Sequence, residues 1–237
     1  MTHRRVADNF SAMKTIATAL LLCLAATLGH AQEAITPTAH VELFDGQSFN
    51  GFSIYLRSNA PPENTWSITD GILNCTGKPS GYMRTIANYR DFSVTAEFRF
   101  PTNLTRAVNT GICVFMQERA PDAKPSQVWP HCVECQGMHD RMGDFWLQGG
   151  ATAAEPVTQG KNGIKRIVPS NESPLGEWTT FTCICRSNTV EIVVNGKSMN
   201  KITGVDVSSG GIGIQSEGGP FELRKLALDP LPVQTSH

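Results

Sequence analysis

The stretch 91-DFSVTAEFRF-100 decides the fold. Successive side chains of an extended strand point to opposite faces. Phe92, Val94, Ala96, Phe98 and Phe100 therefore share one face, and Ser93, Thr95, Glu97 and Arg99 share the other. That is the signature of a strand with one buried side and one polar side.

The same period recurs along the chain, in 41-VELF-44, 66-WSITDGILNCTG-77, 110-TGICVFMQ-117, 131-HCVECQ-136 and 144-DFWLQ-148. It continues in 178-WTTFTCICRS-187, 189-TVEIVVNGKSM-199, 211-GIGIQSE-217 and 221-FELRKLALDP-230. Asp70-Gly71 and Asn195-Gly196 sit where hairpin turns are needed, because both pairs tolerate positive φ. Helical periodicity is nearly absent. Many half-apolar strands imply an all-β sandwich of two sheets, with one outer face carrying a row of Arg, Glu and Gln. On that reading Gln215 and Glu217 share the face opposite Ile212 and Ile214. Residues 149–176 lack strand character, and a connection of that length reads as a functional loop.

The chain has 237 residues and only 17% charged side chains, which suits one domain with a sizeable core. Residues 13-MKTIATALLLCLAATLGHA-31 combine a lysine, an apolar run from Ile16 to Leu28 and small residues before a cut. This reads as a secretory signal peptide spanning 1–31, with Met13 as an alternative start. The run is short for a membrane span, so no stable membrane insertion is expected. Leu20-Leu21-Leu22 ahead of Cys23 lacks the small residue of a lipoprotein site, so no lipid anchor is expected. The resulting expectation is an exported protein, periplasmic or secreted. Residues 32–39 read as a linker, 40–230 as a single β-sandwich domain and 231–237 as a tail.

Removing Arg4, Arg5, Lys14 and Asp8 leaves 17 basic against 20 acidic side chains, a net charge of −3. Nothing in that balance favours nucleic acid. Six cysteines remain, and several sit inside apolar strands, where a thiol serves as a small core hydrophobe. Mostly buried thiols are expected, with room for one or two bridges in an exported chain.

The segment 128-VWPHCVECQGMHDRMGDFW-146 concentrates the chemistry. Cys132-x-x-Cys135 lacks the second knuckle of a zinc site, and no helix start supports a redox pair. Glu134 stands out as a carboxylate in mid-strand, and such groups are rarely buried without a partner. Two readings stay open. Glu134 braces the sandwich by pairing with Arg99, or it is an acid/base or sugar-binding carboxylate flanked by the sugar platforms Trp129 and Trp146.

Eight ordered motifs extend this reading: 42-ELFDGQSFNGF-52, 66-WSITDGILNCTG-77, 89-YRDFSVTAEFRF-100, 109-NTGICVF-115, 128-VWPHCVECQ-136, 143-GDFWLQGG-150, 177-EWTTFTCICRSNTVEIVVNGK-197 and 211-GIGIQSEGGPFELRKLAL-228. Together they resemble the 3-keto-disaccharide hydrolase domain family over roughly residues 40–230. The resemblance implies a concanavalin A-like jelly-roll sandwich of two antiparallel sheets. It also implies cleavage of 3-keto-glycosides on the concave face, by hydrolysis or by elimination and hydration. A ketone at C3 acidifies the C2 proton, so such a site needs one placed base and a group polarising the ketone.

Carried over residue by residue, the family's Glu-x-Gln falls on Glu134 and Gln136, its arginine on Arg99 with Glu97 two before it, its Asn-x-Gly on Asn109 and Gly111, and its late glutamine on Gln215. Thr110 replaces the usual serine, and Cys135 the usual hydrophobic residue. The resemblance thus implies Glu134 as base or substrate-orienting carboxylate. His139 would be a second acid/base or a ligand to a divalent ion, though no cofactor is otherwise indicated. Arg99, Gln136, Asn109, Trp146, Gln215 and Glu97 would hold the carbohydrate. The competing expectation is a lectin-like module that binds glycans without turning them over.

Overall fold

The computed structural model describes residues 33–231. The expected signal peptide, the alternative start at Met13, Cys23 and all of the tail but Leu231 lie outside the described residues. Among those described there are fifteen strands, two short 3₁₀ turns and no α-helix.

One sheet runs through β13 (Lys197–Ile202), β12 (Thr189–Val194), β11 (Thr179–Arg186), β6 (Phe92–Arg99), β15 (Phe221–Pro230), β4 (Ile72–Cys75) and β3 (Trp66–Thr69), with β1 (Val41–Glu42) also pairing β15. The other runs through β10 (Gly163–Ile164), β9 (Phe145–Gln148), β8 (Cys132–Gln136), β7 (Gly111–Met116), β14 (Gly211–Ser216), β5 (Gly81–Thr85) and β2 (Phe52–Leu56). The pairings within both sheets are antiparallel. The chain crosses repeatedly between the sheets, as in a concanavalin A-like jelly roll.

The alternation of β6 holds. Phe92, Val94, Ala96 and Phe98 have no solvent exposure and form the middle of the core. Phe98 meets Phe181 and Phe221 edge-to-face, with ring centroids 6.0 and 5.8 Å apart, and Phe92 meets Phe115 of the facing sheet at 6.0 Å. Such aromatic pairs add to the burial of apolar area that holds the layers together. The six described cysteines are buried and none forms a disulfide. Cys135 and Cys183 meet across the two sheets, thiol against thiol, in the role of small core residues.

Three features depart from the sequence reading. The run 189–199 is the start of a hairpin whose second arm extends to Ile202, and its Asn195-Gly196 turn takes positive φ at both residues. Strands β2, β5 and β10 were not expected. In β5, 81-GYMRT-85, every residue is buried despite a sequence without alternation. Gly81 makes its pairing possible, since a Cβ there would collide with the Tyr55 carbonyl oxygen and the Leu56 backbone. Finally, Ile35 of the supposed linker is tied down by backbone hydrogen bonds with Asn88 and Arg90.

The outward residues also divide differently. A single outer row of Arg, Glu and Gln was expected, but there are two, on opposite sides of the molecule. On the eight-stranded sheet Arg99 pairs with Glu222 and Glu97 with Arg224. Both guanidinium groups stack on Trp178, at 4.4 and 4.6 Å from the ring centroid. Glu134 lies on the seven-stranded sheet, so the expected Arg99–Glu134 brace is not formed. Alternation separates inward from outward but does not say which sheet a strand joins.

Urea denaturation checks this division. Phe98→Ala is expected to cost about 3–5 kcal/mol, as for a large ring removed from a sealed core. Arg99→Ala, which breaks a half-exposed surface pair, is expected to cost no more than about 1 kcal/mol.

Candidate functional site

The outer face of the seven-stranded sheet carries a cleft of about 340 Å³. Its floor and walls come from β7, β8, β9, β14 and the connections between them: Asn109, Trp129, Glu134, Gln136, Met138, Arg141, Trp146, Gln148, Asn162 and Glu217. Register explains the assembly. Glu134 lies opposite Cys113 on β7 and Trp146 on β9, while Gln136 lies opposite Gly111. Because Val133 and Cys135 point into the core, Glu134 and Gln136 must point into the cleft.

Glu134 accepts a hydrogen bond from Gln148 Nε2 at 2.6 Å. Next to it, Asn109 forms a bridge with Glu217 at the end of β14. Glu217 Oε2 accepts from Asn109 Nδ2 at 2.8 Å and from Gln215 Nε2 at 3.0 Å. Two side-chain oxygens, Asn109 Oδ1 and Gln215 Oε1, are buried here with no partner. Unpartnered acceptors in a folded interior are costly, so this floor is built for more than packing.

Both carboxyl groups are held by neutral amides, and among the described residues neither forms an ion pair. Burial pushes the Glu134 carboxyl up to about 7; the nearby Glu217 charge adds to the rise, and the amides of Gln148 and Gln215 oppose it. Burial likewise raises Glu217, against the Asn109 hydrogen bond and the charge of Arg57. Desolvation thus outweighs hydrogen bonding at both acids. A buried acid raised to about 7 beside a half-buried one can take up or release a proton near neutral pH.

Of the residues expected at the site, the structure brings together Glu134, Gln136, Asn109 and Trp146, with Gln215 completely buried among them. Arg99 and Glu97 are on the opposite sheet. His139 is turned away. Between β8 and β9 the chain makes a tight turn, with Arg141 N–H donating to Met138 O at 2.8 Å and Gly143 N–H to Gln136 O at 2.9 Å. This geometry presents Met138 and Arg141 to the cleft. His139 instead packs on Phe100 and meets Glu172 through Nδ1 at 3.2 Å. His139, Asp140 and Glu172 are the group that could hold a cation, with ligand atoms within 4.8 Å of one another. Glu172 already accepts the Asp140 N–H at 2.7 Å and the Ser170 hydroxyl at 3.2 Å, so it braces the turn.

Glu217, Gln148, Arg141 and Asn162 were not singled out in the sequence. The signal for Glu217 was present, since alternation places it beside Gln215. Its setting in a glycine-rich run drew attention to the turn instead. A larger depression, of about 520 Å³, borders Arg99, Phe100 and Glu222 on the other sheet. Its charged pair neutralises itself, and it offers nothing comparable to the two amide-held acids.

A family model, the 3-keto-alpha-glucoside-1,2-lyase-like domain, matches residues 39–229. The chain belongs to this family. It is the 3-keto-disaccharide hydrolase family that the motifs resemble. No curated protein sequence matches the chain. A Parabacteroides distasonis protein described as a glycosyl hydrolase shares the fold at a TM-score of 0.58 and 17% identity, covering 82% of this chain and 95% of its own. The carbohydrate-binding module CBM66 of Bacillus subtilis superposes at 0.52 with 8% identity, covering 76% and 95%. The Bacillus licheniformis β-glucanase superposes at 0.52 with 12% identity, covering 81% and 97%. At these identities the likeness establishes the jelly-roll fold, one used by glucanases and by carbohydrate-binding modules alike.

The buried acid has a stability consequence. Glu134 prefers its protonated form in the folded state, so it stabilises below about pH 4.5 and progressively weakens the fold as pH rises from there toward 7. Removing the charge with Glu134→Gln should therefore raise stability at pH 8 by up to about 3 kcal/mol, while giving little gain near pH 4. Thermal midpoints of both proteins across pH 4–8 check this.

Proposed function

We propose that this protein cleaves 3-keto-glycosides by elimination followed by hydration, with Glu134 as the base. The observation that carries the reading is a carboxyl group raised to about 7 in a cleft that Trp129 and Trp146 also line. A base of that strength is suited to a carbon acid at neutral pH, where about half of it is ionised. Family membership supplies the substrate class.

In this reaction the sugar ring lies between Trp129 and Trp146, which offer apolar faces to its C–H surfaces. Glu134 removes the proton from C2, and the electron pair moves toward the C3 oxygen as an enolate. The pair then returns to form a C1–C2 double bond as the C1–O bond breaks, and the departing oxygen keeps the bonding electrons. Glu134, now carrying the proton taken from C2, passes it to that oxygen and is ready to deprotonate the incoming water. Water adds across the double bond, hydroxide to C1 and a proton to C2, releasing the 3-keto sugar. The amides of Gln148 and Gln215 hold the two acids in place throughout. The leader-like residues 13–31 make export, to the periplasm or beyond, part of the same reading.

Incubation with 4-nitrophenyl 3-keto-glucoside checks the reading. The protein is expected to release nitrophenol with kcat rising through about pH 7, and Glu134→Gln to lose a factor of about 10²–10⁴, the usual worth of a general base. Saturable glycan binding with no turnover, unchanged in Glu134→Gln, would make the protein a lectin-like module instead.

A further inference from the structure

Proton removal beside a ketone is fast only if the oxygen that gathers the negative charge meets a fixed donor or cation. Arg99, the cation expected for that task, is on the wrong sheet and neutralised by Glu222. The donors in the cleft floor are mostly committed. Gln148 serves Glu134, Asn109 and Gln215 serve Glu217, and Asn162 Nδ2 donates to Leu147 O at 2.7 Å. Gln136 Nε2 remains as a neutral donor.

Arg141 is the cation among the residues that line the cleft, while the charge of Arg57 reaches Glu217 from beyond that lining. The Arg141 guanidinium has no hydrogen-bond or acidic partner among the described residues, whereas Arg84, Arg90, Arg99, Arg166 and Arg224 all pair with carboxylates. Its backbone is nonetheless fixed on both sides. Glu172 takes the neighbouring Asp140 N–H at 2.7 Å, Arg166 Nη2 donates to Asp140 O at 2.9 Å, and Gly143 N–H closes the turn onto Gln136 O. An uncommitted guanidinium carried on a braced turn at the border of this cleft is free to donate to a ligand oxygen bound there.

We propose that Arg141 is a catalytic residue that donates to the C3 ketone oxygen and stabilises the enolate formed when Glu134 takes the C2 proton. This rests on the elimination reading above. No atom is transferred to Arg141: its N–H groups carry the hydrogen bond while charge accumulates on the oxygen, and charge leaves again as the C1–O bond breaks.

The test uses the full chain with 4-nitrophenyl 3-keto-glucoside, following nitrophenol release and, in deuterium oxide, deuterium entry at C2. Arg141→Ala should keep its thermal midpoint, because the side chain is exposed and unpaired. Its kcat and C2 exchange should fall together by about 10²–10³, with KM changed less than about threefold, the pattern of a lost oxyanion donor. Arg141→Lys should recover part of the rate, and added guanidinium chloride should partly rescue Arg141→Ala. If the wild type is active and Arg141→Ala matches it, or raises KM alone, the assignment of Arg141 is overturned while the elimination reading stands. If the wild type shows neither exchange nor release, the elimination reading itself fails and takes this assignment with it.

Discussion

The molecule depends on a single apolar seam. Phe92, Val94, Ala96 and Phe98 of β6 are sealed from water against the inward rows of β7, β8 and β14, namely Ile112, Val114, Val133, Cys135, Ile212 and Ile214. Each sealed side chain contributes roughly 1.5–3 kcal/mol relative to exposure, so the seam sets the register of every strand it touches. A slip of one residue in β8 would turn Val133 and Cys135 outward and drive Glu134 into the core. The position of the acids is therefore a by-product of the apolar seam behind them.

What surrounds those acids is unusual in its restraint. A carboxylate is most simply stabilised by an arginine, and the eight-stranded sheet does this twice, at the partly exposed Glu222 and Glu97. The seven-stranded sheet uses amides instead. Amides orient a carboxyl group without neutralising it, so desolvation dominates and the acid sits near neutrality. The two unpartnered amide oxygens alongside are part of the same arrangement. The fold thereby gives up stability at a place where a proton can be handled, the usual exchange between stability and activity.

The long connection 149–176 completes the site from the side. Asn162 borders the cleft, Gly160 and Gly163 let the chain lie against the Trp146 ring, and Glu172 braces the β8–β9 turn. A connection of this length, whose one regular element is the two-residue β10, tends to carry function, and here it contributes both a wall and a support.

Much of this was legible before any coordinates. Alternation in 92–100, 132–136 and 211–217 determined the all-β class, the two-sheet sandwich and the outward direction of Glu134, Gln136, Gln215 and Glu217, because the strand period of two is a local property. The ordered motifs determined the family. Strands β2 and β5 were not legible, since a fully buried strand shows no alternation and Gly81 is meaningful only against the Tyr55 carbonyl. The partner of Glu134 was not legible either. Arg99 and Glu134 carry the same outward parity, yet they point away from each other across the thickness of the sandwich. His139 and Arg141 lie two residues apart, yet one turns toward Phe100 and the other borders the cleft, as the path of a tight turn dictates. The sequence by itself determined which residues point away from the core. Only the tertiary structure decided which of them face each other, because sheet membership and turn geometry are set by contacts between residues far apart in the chain.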